Sequence, residues 1–289
     1  MKYIKPYQLF EASASALTAE QISWLDKCVD GSWKLNSQTG LVDVNGDFDC
    51  GKQGLTDLKG VKFGKVSGDF DCRENQLTTL EGAPQTVGGD FDCDNNELTT
   101  LEGAPKKVAG DFDCSGNQLT TLEGAPQTVG GDFYCDNNEL TTLEGAPKKV
   151  AGSFSCDGNQ LTTLEGAPQT VGWGFYCDGN QLKSLVGAPQ TVGWVFNCRE
   201  NQLTSLEGAP KSVDGGFYCY DNPVSETTLD AIFALMESGM GYQQALEEHW
   251  PEMGDEDKEL MYKDHPSLTP EDVRKYKALA TYNNIKGYL

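Results

Sequence analysis

GDFDCRENQLTTLEGAPQTVG, residues 68–88, returns with small edits along the middle of this chain, and its fixed positions decide the fold. In every copy a Phe stands two residues before a Cys. Phe48, Phe70, Phe91, Phe112, Phe133, Phe154, Phe175, Phe196 and Phe217 precede Cys50, Cys72, Cys93, Cys114, Cys135, Cys156, Cys177, Cys198 and Cys219. The cysteines advance by one step of 22 residues and then by steps of 21. A fixed period of this length marks a solenoid, each repeat forming one coil stacked on the last. Residues two apart share one face of a strand, so Phe and Cys point inward together. From Cys72 onward Asn follows each Cys by three, from Asn75 to Asn222, and in all copies but the last Leu follows at plus five and plus eight, as in Leu77 and Leu80. The stretch Leu-Glu-Gly-Ala-Pro then returns the chain along the outer face, since Gly and Pro favour turns and extended backbone over helix.

The unit F-x-C-x-x-N-x-L-x-x-L resembles the leucine-rich repeat over residues 44–224, with Phe and Cys in place of the first two leucines. The resemblance implies an α+β solenoid: a shallow arc with one parallel β-sheet of about nine short strands, and Asn satisfying backbone groups where the chain leaves each strand. An open solenoid needs caps, and the sequence offers three regions: a leader with a helix/hairpin cap at 1–45, the repeats at 46–224, and a helical cap or tail at 225–289. Thr18 and Gln21 form a capping box, Ile22, Leu25 and Val29 an apolar stripe, Gly31 a helix stop, and residues 33–44 a hairpin-like lead-in. The first copy carries Gln53 where Asn is expected, which marks a cap junction. Apolar spacing predicts C-terminal helices at 226–238, 241–249, 255–263 and 270–283, more chain than a cap needs, so the tail either caps or also holds a partner of its own.

With 38% hydrophobic residues in 289, a compact core is not assured by composition alone. The formal charge of −22 argues against direct nucleic-acid binding and favours basic partners. No secretory leader and no membrane-spanning stretch is expected, which points to a cytoplasmic protein with reduced thiols. The nine repeat cysteines are expected in the core, with Cys28 less protected. No C-x-x-C, Walker loop or G-x-S-x-G is present, and the only histidines are His249 and His265. No Cys follows Cys219, which removes the thiol-dependent ligase that some short-repeat bacterial effectors carry. The expectation is a non-enzymatic protein with no cofactor and no metal.

Since packing fixes the inward positions, recognition falls to the outward ones, and there the copies differ. The residue before Phe reads Asp47, Asp69, Asp90, Asp111, Asp132, Ser153, Gly174, Val195, Gly216; the one after reads Asp49, Asp71, Asp92, Asp113, Tyr134, Ser155, Tyr176, Asn197, Tyr218. Trp173 and Trp194 replace the Gly found elsewhere two before Phe. Three readings stand: a solvated face left by duplication, a protein-binding surface, and calcium held between Asp columns, although the G-G-x-G-x-D pattern of calcium solenoids is missing. The binding reading assigns contact to Trp173, Trp194, Tyr134, Tyr176, Tyr218, Tyr220, Asn197 and the pairs Asp69/Asp71, Asp90/Asp92 and Asp111/Asp113. Its partner is a protein with a basic and apolar surface. The leader MKYIKPYQLFE, the repeats and the tail together resemble leucine-rich-repeat proteins of large tailed bacteriophages. That resemblance implies a protein that binds and inhibits a host protein, such as a defence protein, in the infected cell. An acidic DNA-mimic decoy and a virion or assembly component are the alternatives.

Overall fold

Each Phe-x-Cys segment forms a short strand that lies in parallel on its neighbour, Phe upon Phe. In the computed structural model, which describes residues 17–224, the pairs run from Phe48↔Phe70 and Phe70↔Phe91 to Phe196↔Phe217. The rings stack at 5.4 Å and 6° between Phe70 and Phe91, and at 5.2 Å and 8° between Phe133 and Phe154. All nine are buried, as are the cysteines beside them, so one coil's side chains pack chiefly on those of the next. Cys135 Sγ donates to the Ser155 carbonyl at 3.1 Å, giving the buried thiol a partner in the following coil.

The return path is more ordered than a run of turns. Val66, Val87, Val108, Val129, Val150, Val171, Val192 and Val213 are buried in a second parallel ladder, with Val87↔Val108 and Val171↔Val192 in register. The expected count of about nine strands is therefore corrected: the described residues form eighteen, all but one of them in two parallel ladders that meet at one long strand. That strand, β2 (Val42–Asp49), pairs through Val42 and Val44 with β3 (Phe63–Val66), and through Phe48 with β4 (Phe70–Asp71). The Val period equals the Phe period because both belong to one coil.

The Asn column ties coils together. Asn96 Nδ2 donates to the carbonyls of Cys93 and of Cys72 one coil back, while its Oδ1 accepts the Leu77 N–H. Backbone groups buried at the bend are thus satisfied without sheet or helix. The residue before this Asn is left-handed, with φ 51° at Glu74 and 52° at Asn95, and Gly takes the place at Gly116, Gly158 and Gly179.

The N-terminal end is closed by α1 (Ala19–Cys28), whose capping box forms as expected: Thr18 Oγ1 accepts from Gln21 N–H and Gln21 Oε1 accepts from Thr18 N–H. Its buried stripe is Trp24, Leu25 and Cys28, whereas Ile22 is 40% exposed. Trp24 covers the end of the Phe stack, edge-on to Phe48 at 5.2 Å. Gln53 is longer than the Asn it replaces and reaches the helix: its Oε1 accepts from Trp24 Nε1 and its Nε2 reaches Cys28 Sγ. Cys28 is thus buried but, as expected, the least protected of the ten, at 5% exposure against 0% for most repeat cysteines.

Gly31 does not stop the helix, because Val29 already turns extended and leads into β1 (Val29–Leu35). This strand runs antiparallel to β2, so the hairpin is longer than the 33–44 lead-in expected. Gly31 faces Gly46 across it, at φ 133° and 125°, and a Cβ on either would lie 2.0–2.2 Å from the other strand's backbone oxygen. The leader before residue 17 and the helices expected after residue 224, with His249 and His265, lie outside the described residues.

Candidate interaction surface

Strand alternation turns the residues flanking each Phe outward, and the two columns they form have different work. The column before Phe is a chain of staples. Asp69 Oδ1 accepts the Asp90 N–H at 2.8 Å, Asp90 Oδ1 the Asp111 N–H at 2.7 Å, and Asp111 Oδ1 the Asp132 N–H at 2.7 Å. Asp47 begins the series and Asp132, bonded to Ser153 N–H, ends it. One oxygen of each of these carboxylates is committed to the coil junction. In Asp132 the other accepts the Tyr134 hydroxyl at 2.6 Å.

The column after Phe is half-buried. Asp71 pairs with Arg73 at 3.1 Å, and Asp113 accepts the Ser115 N–H at 2.8 Å. Asp92 lies between them, and burial, with Asp71, Asp113 and Asp94 adding like charge, raises its pKa to about 7. Burial likewise pushes up the carboxyls of Asp71 and Asp113.

The outward face continues one position beyond the two columns expected from sequence. Alternation carried past Cys gives a third, mostly half-buried column: Gly51, Arg73, Asp94, Ser115, Asp136, Asp157, Asp178, Arg199, Tyr220. Here Asp136 accepts the Asp157 N–H and Asp157 the Asp178 N–H, so stapling passes to this column as the Asp before Phe disappears. Asp136 also takes the Ser155 hydroxyl. Burial, and a hydrogen bond with the Asp178 carboxyl, raise Asp157 to about 8. Asp178 accepts Asn197 Nδ2 at 2.9 Å and Arg199 Nε at 3.0 Å, and Arg199 Nη1 donates to the Tyr220 hydroxyl at 2.8 Å. Asn197, expected to meet a partner, is buried in this network.

The aromatic residues lie where the acidic staples give way. Tyr176 folds back over Gly174, and a Cβ there would come 2.4 Å from its ring; Tyr218 does the same over Gly216 at 2.8 Å. The Tyr218 and Tyr220 rings meet edge to face at 6.5 Å. Trp173 and Trp194 stand at the corner between the two ladders, on consecutive coils, with the Trp194 N–H donating to the Trp173 carbonyl. They are 65% and 45% exposed. Their presence has a steric condition. A Cβ at the equivalent Gly89, Gly110, Gly131 or Gly152 would lie 1.9 Å from the Asp carboxylate one coil back, whereas Trp173 and Trp194 follow coils with Ser153 and Gly174 at that place. Loss of the Asp one coil back thus opens the place that Trp takes, although Gly215, which follows the coil with Val195, remains Gly. The sequence-predicted residues therefore form an acidic stretch at Asp69–Asp113 and an aromatic one at Tyr134–Tyr220, continuous through the third column.

The chain is similar in structure to YopM, a leucine-rich effector protein from Yersinia pestis, at 23% identity and a TM-score of 0.45 over 61% of this chain and 49% of that one. It is also similar to YopM from Yersinia enterocolitica, at 16% identity and a TM-score of 0.33 over 61% and 56%. The chain thus spans about half the length of these structures. No protein-family model and no curated protein sequence matches it.

Proposed function

We propose that this is a non-enzymatic protein-binding module that grips a partner with the Phe-ladder face, in its narrower form a phage-encoded inhibitor of a host protein. The observation that carries the reading is the pair Trp173 and Trp194, large apolar side chains left exposed on consecutive coils at a corner where the other coils place Gly. Exposed tryptophans beside tyrosines are what binding hot spots use, and their burial against a partner is worth about 2 kcal/mol or more each. Tyr176 and Tyr218 extend the apolar anchor, and the free oxygens of Asp69, Asp90 and Asp111 orient a basic rim.

The described cysteines support the non-enzymatic reading, since each is buried and burial raises its thiol pKa, leaving no exposed thiolate. An acidic decoy for a DNA-binding protein is less well supported. One oxygen of each stapling Asp is spent on backbone, and Asp92 and Asp157 retain protons near neutrality.

The test is capture from bacterial lysate with the full chain as bait. Trp173→Ala with Trp194→Ala is expected to abolish recovery of a specific partner at low and high salt, while Lys106→Ala with Lys107→Ala, on the Val ladder, leaves it intact. Recovery unaffected by the tryptophan changes would refute the surface. Capture lost in high salt and competed by DNA would favour the decoy instead.

A further inference from the structure

β1 pairs with β2 along one edge, and among the described residues nothing pairs with its other edge. Which backbone groups that edge presents follows from β2. The Val42 N–H, the Val44 and Gly46 carbonyls and the Phe48 N–H all bond toward the solenoid. The alternate residues Asp43, Asn45 and Asp47 therefore face β1, opposite Lys34, Ser32 and Asp30. On β1 it is then Gly31, Trp33 and Leu35, with the carbonyl of Val29, that turn their backbone groups outward. The Val29 N–H is already taken by the Leu25 carbonyl.

An unpaired edge seven residues long is a template for another strand. The sequence VDGSWKL is complementary to itself when reversed. Turned about Ser32, it sets Asp30 opposite Lys34, Gly31 opposite Trp33, and Val29 opposite Leu35. Opposite charges across a strand pair attract, and an aromatic ring covers the bare backbone of a facing glycine. The same register makes Gly31 and Trp33 the hydrogen-bonded pair, which matches the residues whose groups point outward. Centring the pair on Gly31 or on Trp33 leaves Asp30 and Lys34 without opposite charges.

The geometry points to a second copy of this chain pairing with β1, antiparallel and edge to edge, about a two-fold axis at Ser32. Such an interface is isologous and closed, so it produces a dimer and not a fibre. The second copy does not cover the exposed Trp173/Trp194 corner, which lies toward the far end of the ladders. The net charge of −22 opposes the approach of two copies, so association strengthens with salt.

Sedimentation velocity on the full chain, over about a hundredfold range of concentration, reads the outcome for a small, weak interface. The unmodified protein is expected to pass from monomer to dimer. Lys34→Asp or Asp30→Lys alone should weaken dimerisation at least about tenfold by opposing like charges, and Asp30→Lys with Lys34→Asp should restore it. A second measurement does not depend on variants. On dilution, amide exchange should speed at Gly31 and Trp33 but not at Asp30, Ser32 and Lys34, which bond to β2. A protein monomeric throughout, dimerisation indifferent to the single changes or unrestored by the pair, or exchange that speeds equally at both sets, would overturn the proposal.

Discussion

Asp90 bears both a charge and a backbone duty. Its Oδ1 takes the Asp111 N–H at 2.7 Å, a donor with no ladder partner, so Asp90→Ala leaves that N–H unsatisfied. The expected cost is about 1–2 kcal/mol in urea unfolding. Asp90→Asn keeps an acceptor and removes a like-charged neighbour, so it should cost well under half as much; equal loss in both variants would mean that the carboxylate charge, not the hydrogen bond, matters. The thiols make the opposite case, in which packing outweighs a weak thiol hydrogen bond such as that of Cys135 to the Ser155 carbonyl. Cys135→Ala should leave a small void costing about 1–2 kcal/mol, while Cys135→Asp buries a charge with no counterion and should disrupt that coil. Native labelling should modify none of the ten cysteines, Cys28 included, until the chain unfolds. Rapid labelling of Cys114, Cys135 or Cys156 would exchange the inward and outward faces. The inward roles of Phe, Cys and Asn were legible in the sequence because each recurs at one place in every coil. The Asp staple was not, because its partner is a backbone amide in the next coil, and amides leave no letter in the sequence.

Between coils, identities are coupled at a distance of about one repeat. Gly89 and Asp69 form such a pair, since a Cβ at 89 would lie 1.9 Å from Asp69 Oδ1. Gly89→Trp alone should therefore cost about 2–3 kcal/mol, the scale of overpacking. Combined with Asp69→Ser, which reproduces the Ser153/Trp173 arrangement, the cost should fall by about 1 kcal/mol or more, a coupling read from a double-mutant cycle. Additive effects would show that the Trp corner arose independently of Asp loss. The same neighbour logic explains what the repeat pattern concealed. The valines of the second ladder keep the period as faithfully as the phenylalanines, but from Val87 onward their strands are two residues long and follow Gly-Ala-Pro, so the local turn signal masked them. At the N-terminus the capping box was readable from Thr18 and Gln21 alone. The buried stripe was not, because what α1 buries is set by the Phe stack beneath it, which calls for the indole of Trp24 to cover the terminal ring, Phe48.

Among the described residues the charges largely segregate, Arg73 and Arg199 apart, and that sets the response to pH. Carboxylates crowd the Phe-ladder face, while Lys107 and Lys149 stand on the strands of the Val ladder, too far around the coil to neutralise them. The solenoid thus holds a row of half-buried acids whose pKa values are raised chiefly by burial: Asp71, Asp92, Asp111, Asp113, Asp136 and Asp157. In the unfolded chain an Asp loses its proton near pH 4, whereas in the folded chain Asp92 keeps it to about 7 and Asp157 to about 8. Between these values the folded state binds more protons, so stability must fall as pH rises through the window and level off above it. The sign is opposite to that of a protein held by salt-bridged carboxylates. The urea midpoint should accordingly be higher at pH 5 than at pH 8. Asp92→Asn removes one titrating group and should stabilise by about 1–2 kcal/mol at pH 8, after allowance for solvent screening, and by distinctly less at pH 5. A midpoint that rises from pH 5 to pH 8, or an Asp92→Asn gain equal at both, would show that the acidic face is solvated and that its carboxylates are ionised in the folded protein throughout.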